Sequence, residues 1–264
     1  MKHYALIGNP LGHSWSQRLF EEAVPHDMAD YQLCEMTSLD GLRQWVSDND
    51  ISGFNVTLPY KEAILPYLDT LTSEAKEIGA VNCVKVMDGK LIGYNTDAPA
   101  FRHTLEDTLS TLHSPLSTLH SAFILGTGGA ARAVAYALSQ MGINYTFVSR
   151  HPELHPNSIG YNQIIQTIKQ SSNQAILLVN ATPVGTWPNV DATPLDFTLA
   201  FTNSHIHTLI LYDLIYNPST TLLMRQAAAK GAKVVDGLAM LRLQAKLSRD
   251  IFFADNTEYQ PIAK

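Results

Sequence analysis

Ile124-Leu125-Gly126-Thr127-Gly128-Gly129-Ala130-Ala131 reads as a junction between a strand and a helix. The apolar run Ser121–Leu125 leads into it, and a helical stretch, Ala130–Met141, leads out towards Gly142 as a C-terminal stop. The spacing is G-x-G-x-x-A. The first glycine permits a tight turn, the second lets a pyrophosphate approach the backbone, and the small last residue lets helix and strand pack closely. The pyrophosphate then rests on unpaired N–H groups at the helix start. The stretch therefore predicts a dinucleotide site in which Gly126, Thr127, Gly128, Gly129 and Ala130 are candidate cofactor contacts.

About twenty residues on, where an NAD-specific fold places an acid to hold the ribose, the chain has Val148-Ser149-Arg150-His151. Arg150 offers a forked cation, and Ser149 a hydroxyl, to a 2′-phosphate, so NADP(H) is the expected cofactor. The plainer reading of Arg150 is a solvated loop arginine. His151 reads as an ordinary loop histidine; the alternative reading sets its ring near an adenine.

Outward from the turn, short β-branched runs alternate with amphipathic stretches, the pattern of parallel sheets built from βαβ units. Strands are expected at Tyr4–Ile7, Tyr31–Met36, Phe54–Val56, Asn82–Val86, Lys90–Gly93, Tyr145–Val148, Ala175–Asn180, Thr208–Asp213 and Lys233–Val235. Helices are expected at Ser16–Ala23, Leu39–Val46 (capped by Ser38), Lys61–Leu65, Ser73–Ile78, Tyr161–Gln170, Thr220–Lys230 and Leu238–Phe252. Asp88-Gly89 reads as a hairpin turn, and Ser110–His120 as a loop or frayed linker. The series over residues 101–237 looks self-contained and leaves the final helix without a sheet partner. The expected architecture is α/β with two domains. Residues 1–100 plus 238–264 would form an α/β substrate domain with a mainly parallel sheet, and residues 101–237 a Rossmann-like NADP-binding domain.

The chain has 264 residues, 45% apolar and 16% charged, with a net charge of −6. That balance gives no footprint for nucleic acid or an anionic membrane, and any anionic ligand must be held by local donors. Cys34 and Cys83 form no CxxC pair, and no cluster has metal-ligand spacing, so no metal is expected. No apolar run approaches spanning length, and a cytoplasmic location is expected.

An alcohol oxidised by hydride transfer must also lose a proton, so a titratable group is needed within reach of that hydroxyl. Polar clusters follow the strands of the first domain: Gly8-Asn9-Pro10-Leu11-Gly12-His13-Ser14-Trp15-Ser16, Asn55-Val56-Thr57-Leu58-Pro59-Tyr60-Lys61, Gly79-Ala80-Val81-Asn82 and Gly93-Tyr94-Asn95-Thr96-Asp97. Each has a plainer reading: Ser14 and Ser16 as caps, Lys61 as a surface lysine, Asp97 as the cap of a following helix.

Together with LGTGGAAR, NATPVG, YDLIYNPSTTLL and GLAMLRLQ, in that order along essentially the whole chain, these clusters resemble the shikimate dehydrogenase family. The resemblance implies reversible NADPH-dependent reduction of 3-dehydroshikimate to shikimate in aromatic amino-acid biosynthesis. It implies that Ser14 and Ser16 hold the substrate carboxylate, and that Thr57, Asn82, Tyr216 and Gln244 hold the ring hydroxyls. Lys61 and Asp97 match the catalytic pair. Gly126–Ala130, Ser149–His151, Leu214 and Gly237 match the NADP contacts, and Asn180 and Thr182 approach the cofactor too. A carboxylate beside Lys61 makes it a poorer base, which leaves the division of labour in the pair open. Cys83 stands where the family commonly has Thr, and Ser149 and His151 flank a retained Arg150. The partners expected are small molecules only, with the chain a monomer or homodimer. Rival readings are an NAD-using quinate/shikimate dehydrogenase, which tends to carry an acid where Arg150 stands, and a non-catalytic NADP-binding regulator, which predicts loss of Lys61 or Asp97. A methylene-tetrahydrofolate dehydrogenase-like enzyme lacks the paired serines.

Overall fold

The computed structural model describes residues 1–12, 14–111, 119–170, 175–201 and 209–254. The chain forms two compact units, Met1–Ala100 with Arg242–Lys264, and Phe101–Leu241. His13, residues 112–118 of the expected linker, Thr208 and the tail from residue 255 lie outside the described residues.

The first unit contains β1 (Lys2–Gly8), α1 (Ser16–Glu21), β2 (Ala29–Glu35), α2 (Leu42–Asp48), β3 (Ile51–Val56), α3 (Tyr60–Ala63), β4 (Thr70–Leu71), α4 (Ser73–Ile78), β5 (Cys83–Met87) and β6 (Lys90–Tyr94). The strands lie in the order β2-β1-β3-β5-β6-β4. β1 runs parallel to β2 and β3, and β4 parallel to β6, while β5 is antiparallel to both of its neighbours. Tyr4, Ala5, Leu6 and Ile7 are all buried, the mark of a central strand covered on both faces. Ala5 and Ile7 join one core with Phe54 and Val56, while Tyr4 and Leu6 join another with Tyr31 and Phe252. Asp88 and Gly89 both adopt positive φ, 51° and 72°, as a two-residue hairpin turn of the expected kind requires.

Two local expectations are corrected. The second helix begins at Leu42, after Gly41 in the left-handed region, and has no side-chain cap. Ser38 spends its hydroxyl on the neighbouring turn, accepting from the Asp40 N–H and donating to the Asp40 carboxylate. The third strand begins at Ile51 rather than Phe54, because Gly53 belongs to it. A Cβ on Gly53 would lie 2.8 Å from the Phe252 ring, so this glycine marks a close approach inside a strand and not a turn.

The second unit contains β7 (Leu119–Leu125), α6 (Gly129–Gln140), β8 (Tyr145–Val148), β9 (Ser158–Ile159), α7 (Tyr161–Gln170), β10 (Ala175–Asn180), α8 (Phe197–Ala200), β11 (Leu209–Asp213), α9 (Leu222–Ala229) and β12 (Lys233–Val235). α5 (Asp97–Thr111) precedes it in sequence and α10 (Leu238–Phe253) follows. Ser110 and Thr111, expected in a linker, are the end of α5. Every strand pair of this sheet is parallel. Its order, β9-β8-β7-β10-β11-β12, is the doubly wound arrangement in which winding reverses between the first strand and the fourth. β7 and β10 are those strands, and the glycine turn leaves the carboxyl end of β7.

The described part of α10 from Arg242 belongs to the first unit. Its Phe252 stacks on Tyr4 with ring centroids 4.6 Å apart, and Ile251 and Phe252 are buried in that unit's core.

Candidate active site

In the first unit the polar clusters meet at the ends of β1, β3 and β6. The Thr57 N–H donates to the Ile7 carbonyl at 2.9 Å, tying the segment after β3 to β1. A Cβ on Gly8 would lie 2.4 Å from the Thr57 methyl, so a glycine is needed where these segments touch. The Val81 N–H donates to the Lys61 carbonyl at 2.8 Å, which fixes α3 against the Gly79–Asn82 segment.

Lys61 Nζ donates to Asp97 Oδ2 at 2.7 Å. The side chains are 16% and 7% exposed, so the pair is largely desolvated. Asn95, not Asp97, caps α5: its Oδ1 accepts from the N–H groups of Asp97 and Ala98. That division leaves the Asp97 carboxylate for other work. Its Oδ1 accepts from Asn82 Nδ2 at 2.9 Å, and its Oδ2 from Lys61. Both Asp97 oxygens are thereby engaged, while Lys61 has given one of its three N–H donors.

Asn82 is 3% exposed and organises the centre. Its Nδ2 also donates to Thr96 Oγ1 at 2.9 Å and lies 3.5 Å from Gln244 Oε1, and its Oδ1 accepts from the Thr96 N–H. Four of the expected substrate or catalytic residues, Lys61, Asn82, Asp97 and Gln244, are therefore joined in one network, and Thr57 follows β3 in the same unit. Ser14 and Ser16 lie beside each other, hydroxyl to hydroxyl at 3.2 Å. Trp15 is the N-cap of α1 and makes no side-chain capping bond. Tyr216 belongs to the other unit, in the segment following β11.

Four residues outside the expected set complete this region. Tyr31 Oη donates to Asn55 Oδ1 at 2.9 Å, and Asn55 Nδ2 donates to Ser248 Oγ at 2.8 Å. Ser248 Oγ lies 3.1 Å from Thr96 Oγ1, which closes a chain back to Asn82. Asn55 and Thr96 fall inside the polar clusters of the sequence, while Tyr31 and Ser248 are polar residues within apolar stretches, with partners up to 193 positions apart. Cys83 is fully buried beside Ser248, and burial pushes its thiol up to about 12, so it is an inert neutral group.

In the second unit, Gly126 adopts φ +99°, the conformation for which glycine is suited. Its would-be Cβ lies 3.2 Å from the Thr182 methyl, so the turn and the Thr182 loop adjoin. α6 starts after Gly128 with no side-chain cap, which leaves its first-turn N–H groups without a capping side chain. Arg150 is exposed and makes no hydrogen bond or ion pair among the described residues. Its charge is felt by the Tyr161 phenol, which burial nonetheless raises. Ser149 Oγ accepts from the His151 N–H at 3.0 Å, and His151 Nδ1 lies 3.3 Å from Glu153 Oε1. His155, absent from the expected set, places Nε2 3.3 Å from Thr127 Oγ1.

Three expected cofactor contacts turn out to have structural work. Asn180 is fully buried, donates to Asp213 Oδ1 at 2.9 Å, and accepts from the Thr182 hydroxyl and N–H. The Asn180 side chain is thereby committed to Asp213 and to the placement of Thr182. The Leu214 N–H donates to the Asn180 carbonyl, and a Cβ on Gly237 would lie 2.1 Å from the Leu214 carbonyl oxygen. Packing alone requires glycine at 237. Asp213 also accepts from Thr221 Oγ1 and the Ile215 N–H, and burial raises its carboxyl to about 6 against those donors. Among the described residues no group of three His, Cys, Asp or Glu is placed to hold a metal, and no helix is long and apolar enough to cross a membrane.

Residues 6–84 match the family model described as shikimate dehydrogenase substrate binding domain. The NADP(+) shikimate dehydrogenase of Caldicellulosiruptor bescii is 32% identical, over 96% of this chain and 90% of its own. Shikimate dehydrogenase 1 from Peptoclostridium difficile superposes with a TM-score of 0.79 at 33% identity, covering 96% of this chain and 91% of that one. The shikimate 5-dehydrogenase of Thermus thermophilus, solved in complex with NADP(H) and shikimate, gives 0.78 at 33% identity, covering 96% and 94%.

Proposed function

The chain belongs to the shikimate dehydrogenase family, and from that premise we propose that it catalyses the reversible NADPH-dependent reduction of 3-dehydroshikimate to shikimate, a step of aromatic amino-acid biosynthesis. The observation that carries this reading is the Lys61–Asp97 pair, held at 2.7 Å and tied to Asn82.

The second unit fits the cofactor on its own geometry. The glycine turn lies at the switch point of a doubly wound sheet, α6 begins uncapped, and Arg150 is unpaired among the described residues. Gly126 to Ala130 would carry the pyrophosphate on backbone N–H groups, and Arg150 the 2′-phosphate. Ser149, His151, Thr182, Leu214 and Gly237 would border the nucleotide, with Asn180 acting through Thr182. When bound, NADPH supplies the hydride.

The carbonyl oxygen needs a proton as its carbon receives that hydride. Lys61 keeps two N–H donors beyond the one given to Asp97, so it can hydrogen-bond the oxygen and pass it a proton. Asp97 cannot donate while both its oxygens accept. It holds the Lys61 ammonium in one place and stabilises its charge until the proton leaves. In the oxidative direction the neutral amine takes the proton back. Ser14 and Ser16 would hold the carboxylate, and Thr57, Asn82 and Gln244 the ring hydroxyls, with Tyr216 assigned to the same task on resemblance. The protein would work in the cytoplasm as a monomer or homodimer, with small molecules as its partners.

The test is a spectrophotometric assay of shikimate and quinate, each with NADP and NAD. Shikimate with NADP is expected to give the highest kcat/KM. Turnover of quinate with NAD ahead of it, or of neither acid, defeats the proposal.

A further inference from the structure

α1 and α10 border a cavity of about 80 Å³ in the first unit. Ser16 and Gln244 line it, and so do three cations of α10, Arg242, Lys246 and Arg249, with no acidic residue among the lining. The spacing i, i+4, i+7 sets the three on one helical face. The chain carries a net charge of −6 and has 18 Lys and Arg in all, so three within eight residues make a local field opposite in sign to the whole.

The face is not neutralised. Lys246 Nζ pairs with Asp250 Oδ2 at 3.0 Å, and Arg249 reaches the same carboxylate at 3.8 Å. The Arg242 side chain makes no hydrogen bond or ion pair among the described residues. One carboxylate therefore serves two cations and the third has none. Two lining residues, Ser16 and Gln244, are also substrate residues in the reading above, so this face adjoins the end of the site assigned to the carboxylate.

We propose that Arg242, Lys246 and Arg249 form an anion-selecting wall that draws the substrate carboxylate to Ser14 and Ser16 and discriminates carboxylates from neutral analogues. The inference rests on the proposed shikimate reaction. No hydrogen bond or ion pair joins these side chains to Lys61 or Asp97 among the described residues, so they act on binding and leave the chemical step to that pair. As partly solvated charges they are each worth about threefold to fivefold in KM at low salt, and less once salt screens them.

The experiment compares wild type, Arg242→Gln, Arg242→Lys and the triple variant R242Q/K246Q/R249Q, with shikimate and its methyl ester as substrates, at low and high ionic strength. In the triple variant KM for shikimate is expected to rise about 30- to 100-fold at low salt, with kcat within about twofold, KM for the ester unchanged and the salt dependence of KM lost. Arg242→Gln gives about threefold to fivefold, and Arg242→Lys restores most of it. The single variant removes an exposed, unpartnered side chain, so it keeps the test sound if the triple variant folds poorly. An unchanged shikimate KM in the triple variant, or equal increases for acid and ester, overturns the proposal. A wild-type protein that oxidises neither substrate overturns the shikimate reading instead.

Discussion

Lys61→Ala separates what the central pair does for chemistry from what it does for the fold. The substitution removes the proposed proton donor and leaves Asp97 with one engaged oxygen, the one that accepts from Asn82 at 2.9 Å. A positioned acid or base contributes about 10²- to 10⁴-fold, so kcat is expected to fall by about 10³, equivalent to about 4 kcal/mol of transition-state stabilisation. A stability cost accompanies it. Asp97 is 7% exposed, and stripping a buried charge of its partner costs about 3–5 kcal/mol when nothing replaces it. The retained Asn82 bond and water entering the space left by the lysine bring that to about 1–2 kcal/mol. The two effects part in the readout. Steady-state kinetics give kcat and the NADP KM, equilibrium binding of NADPH gives the cofactor affinity directly, and a thermal melt gives stability. The expected pattern is a large loss of kcat, NADPH affinity within about twofold, and a folded protein with a modestly lower melting point. Equal losses in turnover and NADPH binding, or turnover within tenfold of wild type, would refute the role given to Lys61.

Arg150→Ala is expected to raise the KM for NADP about tenfold through the lost contact with the 2′-phosphate while that for NAD hardly moves, and an unchanged NADP value removes the assignment. Asp213, raised to about 6 by burial, holds its proton in the folded chain at pH values where the unfolded chain has released it. Stability therefore declines as pH climbs from about 4 to about 6, by a total of about 3 kcal/mol, and Asp213→Asn removes that component; urea unfolding of both proteins across this window measures it, and parallel curves contradict it. Gly237→Ala puts a methyl 2.1 Å from the Leu214 carbonyl oxygen, which is backbone and cannot step aside cheaply. A loss of about 3 kcal/mol is expected in a thermal melt, and a variant as stable as wild type would show that the Leu214 segment yields.

What the sequence discloses and what it hides follow one physical division. The glycine turn is legible because its constraints are local: a positive φ at Gly126, a small residue for packing and a helix start all fall within six positions. The long parallel strands are legible for the same reason, since burial on both faces writes itself as a continuous apolar run. β4 and β9, with two residues each, are too short to carry a period, and Ser38 resembles a helix cap in sequence because a hydroxyl bonds a turn as readily as a helix. Lys61 and Asp97, 36 positions apart, can be suspected because each follows a strand of the same sheet, where chemistry collects. Asn55 and Thr96 stand inside polar clusters that the sequence singles out, but nothing near either of them, or near Ser248, names its partner. Asn55 belongs to β3, whose register against β1 sets Asn55 opposite Leu6, and Ser248 arrives on a helix that only the fold returns to that unit. The same helix carries Arg242, Lys246 and Arg249, which in sequence look like the ordinary solvated face of an amphipathic helix. The role proposed for them rests on Ser16, more than two hundred positions away, lining the same cavity. On the proposed reading the Lys61–Asp97 pair follows from residue type and strand ends, whereas Asn55, Ser248 and the α10 cations are placed only by register and helix docking.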